Sequence, residues 1–71
     1  MKAGDFVHYT PIRGAKENGR IKSMGDDFAF VVYKCDDNWR DFMLYTGART
    51  DLNDLTPGWI DGNEPNIVDE E

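Results

Sequence analysis

A chain of 71 residues with 14 acidic and eight basic side chains, for a net charge of −6, makes one small domain at most. Its single cysteine excludes an internal disulfide, and no apolar run approaches the roughly 18 residues of a membrane span. The acidic balance is the wrong sign for a protein that binds by neutralising phosphates.

The first predicted element is a strand over Gly4–Tyr9, with Val7 and Tyr9 on one face and Phe6 and His8 on the other. Pro11, Gly14, Asn18 and Gly19 are turn formers, so Thr10–Gly19 is expected to be a loop. Arg20–Met24 alternates, with Ile21 opposed to Arg20 and Lys22, and reads as a second strand. Gly25–Asp27 is a tight turn into a third strand, Phe28–Tyr33. Phe42–Thr50 is expected to form a fourth strand, interrupted or bulged at Gly47. A short helical turn over Asn38–Leu44 competes with its start, because Trp39, Phe42 and Met43 fall at i, i+3 and i+4. Asp51–Leu55 suits one turn of 3₁₀ helix, and Thr56–Ile60 a turn and a last short strand.

Charge divides the chain. All eight Lys and Arg lie within residues 1–50, alongside seven of the 14 acids, and residues 51–71 carry the other seven acids unbalanced. The expectation is a folded body over 1–60 and a disordered acidic tail over 61–71.

The third strand raises the central problem. Phe28-Ala29-Phe30-Val31-Val32-Tyr33 is apolar on both faces, so no one-residue slip makes either face polar. In a small barrel Ala29, Val31 and Tyr33 would point inward with Val7 and Ile21, leaving Phe28, Phe30 and Val32 outside; the reversed assignment leaves Val31 and Tyr33 outside instead. Cover for the second face has three sources. Cys35–Leu44 folding back, with Trp39 and Phe42 laid over Phe28 and Phe30, is preferred; a second copy of the chain and a bound partner are the others.

Five short strands, one longer early loop and a 3₁₀ turn before the last strand resemble the SH3-like small barrels, including the KOW, Tudor and photosystem I accessory-protein types. "GDFVHY", "GRIKSM", "FAFVVY" and "DLNDL" ahead of "GWI" carry the resemblance over about residues 4–60. The same pattern resembles small proteins of phages and mobile elements of gut bacteria. The resemblance implies an all-β, five-stranded SH3-like small barrel. It brings no site: the acidic early loop of the SH3 peptide-binding signature is replaced by Arg13, Lys16 and Glu17, and no Tudor cage is assignable.

No catalytic constellation emerges. His8 is the only histidine and reads as a solvent-side strand residue; Ser23 is the only serine; Cys35 lacks an arguable base. Asp26-Asp27 and Asp36-Asp37 match no calcium loop and read as turns, and Cys35 with His8 falls short of a zinc set. The expectation is therefore a non-enzymatic, cytoplasmic module, monomeric or weakly dimeric, with no cofactor, metal or membrane association. Its protein partner would meet Tyr9, Phe30, Trp39, Arg40 and Tyr45. The alternative is a nucleic-acid-associated barrel using Arg20, Lys22 and Arg40, disfavoured by net charge. A further alternative has the acidic tail imitate phosphates and inhibit a nucleic-acid enzyme.

Overall fold

The computed structural model describes residues 1–65. Five strands, β1 (Phe6–Tyr9), β2 (Glu17–Met24), β3 (Phe28–Val32), β4 (Ala48–Asp51) and β5 (Leu55–Pro57), form one sheet in the order β4-β3-β2-β1-β5. Every neighbouring pair is antiparallel. Three 3₁₀ turns, Trp39–Leu44, Leu52–Asp54 and Ile60–Gly62, complete the described chain.

The expected strand content is present, and so is the 3₁₀ turn ahead of the last strand. The expected closure is not. β4 and β5 are the two edges of an open sheet, so the barrel expectation is corrected. The turn Leu52–Asp54 carries β5 away to β1, where the Thr10 amide donates to the Asp54 carbonyl at 2.8 Å. The rings of Tyr9 and Tyr33, with centroids 6.0 Å apart, stand on the inner face beside the gap.

Three further boundaries differ from expectation. The last strand is Leu55–Pro57, ahead of the turn at Gly58 and not after it, because these residues pair with β1, and Ile60 belongs to a 3₁₀ turn. β2 begins at Glu17, so Asn18 and Gly19 are strand residues opposite His8 and Val7. Pairing with β1 overrides the turn propensity of Asn-Gly, and Asn18 Oδ1 accepts the Ile60 amide at 2.9 Å. Residues 39–44 are a 3₁₀ turn kinked at Asp41, and the fourth strand starts only at Ala48. Three residues per turn set Trp39 and Phe42 on one side, where both reach the sheet. A strand would have pointed only alternate residues there.

β3 carries two cores. Val7, Ile21, Ala29, Val31 and Leu55 are buried together on the inner face, flanked by Tyr9, Tyr33 and Leu52. Val32, Cys35 and Phe42 are buried on the other, flanked by Trp39 and Tyr45. The inner set is the first of the two assignments that alternation allows. Between the pairs Ile21–Val31 and Ser23–Phe30 the register slips by one, leaving Lys22 as the extra residue of a bulge in β2.

The inner core is closed tightly at Gly19. A methyl group there would lie 2.6 Å from Val31 Cγ1 and 2.9 Å from the Val32 carbonyl oxygen, which is backbone and cannot yield cheaply. Gly19→Ala is therefore expected to destabilise the protein by about 1–3 kcal/mol through overpacking, measured by urea unfolding. A neutral outcome would show that β2 and β3 are less closely apposed.

The paired acids behave as turn residues. Asp36 and Asp37 both take positive φ, at 53° and 65°, after β3. The expected tail begins instead with an ordered turn, Ile60–Gly62, followed by Glu64 Oε2 accepting the Trp59 amide at 2.7 Å. Residues 66–71, the rest of that expectation, lie outside the described residues. The bond to Trp59 holds the Glu64 carboxyl below the usual carboxylate range. Its contribution is thus complete above the ordinary glutamate value of about 4.3 and lost as pH falls through the lower folded value. An acid transition in tryptophan fluorescence below the ordinary glutamate range is expected, and Glu64→Gln should remove that component.

Candidate binding groove

The second face is closed by cations as much as by rings. Arg20 Nε donates to the Gly4 carbonyl at 2.8 Å and Nη1 to the Trp39 carbonyl at 2.7 Å. Its Cζ lies 4.7 Å from the centroid of Phe6 and 4.3 Å from that of Phe42. Trp59 packs edgewise on Phe6 at 5.5 Å and meets Trp39 at 5.0 Å, while its indole N–H donates to the Gly19 carbonyl at 2.8 Å. Lys22 Nζ donates to the Tyr45 carbonyl at 2.7 Å, tying the strand-linking segment to the bulge. The returning segment does cover the sheet, but Phe42 packs with Val32 and against Arg20, not over Phe28 and Phe30 as expected. That pair packs edge to face at 5.5 Å, with Arg49 Cζ 4.4 Å over Phe28, and Phe30 remains 38% exposed.

The concave feature lies on the inner side, at the open edge. A cavity of about 440 Å³ is lined by Tyr9, Glu17, Tyr33, Thr50, Asp51 and Asp54, among others. It shares Glu17, Tyr33 and Ala48 with a second hollow that runs on past Lys34, Tyr45 and Thr46, so the two form one groove with Tyr33 at its centre. Thr50 Oγ1 donates to the Ala48 carbonyl at 3.3 Å, which leaves the Tyr33 hydroxyl as donor to Thr50 Oγ1 at 2.8 Å. Burial pushes the Tyr33 phenol up; the Thr50 bond opposes it, and nearby Tyr9, Glu17 and Asp54 reinforce it.

The groove is electrically polar. Asp54 lies at one end, Glu17 where the two hollows join and Lys34 at the other end, while Asp51, paired with Phe28, borders the groove with its side chain on the outer face. Arg49 borders the acidic end, but its guanidinium is over Phe28. Among the described residues the one ion pair is Lys2–Asp5 at 4.0 Å, so Glu17 and Asp54 have no cationic partner within the described chain.

The structure separates the residues singled out from the sequence. Tyr9 and Tyr45 line the groove. Phe30 is on the opposite face, Trp39 is packed on Trp59, and Arg40 is exposed on the 3₁₀ turn. Arg20 and Lys22 are engaged by internal carbonyls. Tyr33, the centre of the groove, was missed as a site residue although its inward parity was legible. Glu17, Asp51 and Asp54 gave no signal, being scattered acids in loop and turn sequence.

His8 and Cys35 have different surroundings. His8 Nδ1 donates to the Gly58 carbonyl at 2.8 Å, so His8 is half-buried against the chain and not simply solvent-facing. Cys35 is 2% exposed beside Val32 and Phe42, and burial pushes its thiol up. No helix among the described residues is long and apolar enough to cross a membrane.

No protein-family model, no curated protein and no solved structure matches this chain.

Proposed function

We propose that this protein is a non-enzymatic binding module whose groove receives a segment of another protein bearing a lysine or arginine. The observation that carries this reading is the pair of carboxylates without a cationic partner, Glu17 and Asp54, beside the tilted rings of Tyr9 and Tyr33. A cation entering there meets negative charge and aromatic faces together. Phe6, Trp39, Phe42 and Trp59 pack in the second layer and Phe28 and Phe30 pair on the outer face, which makes Tyr9, Tyr33 and Tyr45 the aromatics along the groove. The strand order, with a 3₁₀ turn before β5, supports reading the sheet as an open relative of the SH3-like small barrels.

The test is a nuclear magnetic resonance titration of labelled protein with lysine-containing peptides, and with single- and double-stranded DNA and RNA at low salt. Peptides should shift Tyr9, Tyr33, Thr50 and Asp54. Replacing Asp54 by Asn should weaken binding up to about fivefold, the scale of one partly exposed charge pair. Salt-sensitive shifts centred on Arg20, Lys22 and Arg40 with nucleic acid, and none with peptide, would overturn the proposal in favour of the nucleic-acid alternative.

A further inference from the structure

The open sheet and the groove meet at β4. All four of its residues, Ala48–Asp51, line the cavity of about 440 Å³. β4 pairs with β3 through Phe28–Asp51, Ala29–Thr50, Phe30–Arg49 and Val31–Ala48. The ladder continues with the Leu52 amide donating to the Asp27 carbonyl at 3.2 Å, so the peptide groups of residue 52 face β3. Antiparallel pairing alternates, so those of Thr50 and Ala48 also face β3, while those of Arg49 and Asp51 face away. The Asp51 carbonyl, at the N-cap of the turn Leu52–Asp54, accepts that turn's first bond, which leaves both groups of Arg49 and the Asp51 amide open among the described residues. The opposite edge differs: β5 has three residues and ends in Pro57, which has no N–H to offer.

We propose that the partner segment docks as an added strand on the free edge of β4, its backbone paired to Arg49 and Asp51 and one lysine or arginine turned into the cavity between Tyr9 and Tyr33. This rests on the groove being a site for a basic segment and adds the conformation of that segment and its mode of attachment. An extended chain points alternate side chains to opposite faces. One parity therefore enters the groove, where Glu17 and Asp54 have no cationic partner, and the other meets solvent. Main-chain bonds supply affinity with little sequence demand; the single basic side chain supplies selection. Lys34 at the far end disfavours a uniformly basic segment and suits one with an acidic or neutral residue there.

The experiment uses the full chain and a ten-residue probe of alternating Thr and Val with one central Lys. Amide hydrogen exchange is followed residue by residue. Arg49 and Asp51 amides should exchange at least tenfold more slowly with the probe, whereas Thr50, already bonded to β3, should change little. N-methylation of the probe on amides that face β4 should weaken binding at least tenfold; methylation of the alternate amides should leave it near that of the parent. Three outcomes count against the proposal in different ways. A probe that shifts Tyr33 and Asp54 in a lysine-dependent way without slowing Arg49 and Asp51 would overturn strand addition and leave the basic-segment reading standing. A probe that fails to bind at all would overturn both. Protection of Arg49 and Asp51 that rises with protein concentration, without probe, would assign the edge to a second copy of the chain and overturn the proposal.

Discussion

Phe42→Ala is expected to destabilise the protein by about 3–5 kcal/mol, the usual range for emptying a buried phenylalanine site. A domain of this size has on the order of 4–11 kcal/mol in total, so the loss is a large part of it. The reason is position. Phe42 is 5% exposed, packs with Val32 and Cys35 and offers its face to Arg20, so its removal uncovers the second side of β3 along with the cation above it. Urea unfolding measures the loss. A thiol reagent gives an independent reading, because Cys35 is 2% exposed while the cover is in place and should react much faster without it. Near-native stability together with an unreactive Cys35 would show that something other than the returning segment shelters Val32.

Arg20→Met is the second large effect, expected at about 2–4 kcal/mol, because charge-assisted hydrogen bonds contribute about 1.5–3 kcal/mol each and do not add fully. Methionine keeps much of the packing between Phe6 and Phe42 but leaves the Gly4 and Trp39 carbonyls without the donors they now have. Arg20→Lys should recover only part of the loss. An ammonium on a flexible stem does not reproduce a planar fork reaching two carbonyls while lying against two rings. The pair of variants also distinguishes structure from function. If Arg20 were mainly a nucleic-acid contact, both variants would unfold with wild-type midpoints and differ only in binding.

Local periodicity was sufficient for several features. The inward set Val7, Ile21, Ala29 and Val31 follows from alternation within each strand, and the structure buries those four residues together. The 3₁₀ turn at Leu52–Asp54 was legible because the segment is too short for anything longer. The difficulty of β3 was legible too: an apolar run on both faces demands two covers, whatever supplies them. Each of these is a relation between residues one to four positions apart, which a linear sequence displays directly.

What the chain order concealed are relations across tens of residues. The Trp59 indole seeks the Gly19 carbonyl, Arg20 the Trp39 carbonyl and Lys22 the Tyr45 carbonyl. Arg20 and Lys22 therefore look like a basic strand face in sequence and act as internal clamps in space. Gly19, read as a turn, is a contact point between packed strands. The openness of the sheet, and with it the groove around Tyr33, is likewise a tertiary outcome. It is set by the delivery of β5 to β1 and by the lack, among the described residues, of a strand beyond β4. Alternation within a strand states which side chains share a face. Which faces meet, and which edge is left free, depends on pairing and packing energies summed over distant partners, and only the folded chain brings those partners together.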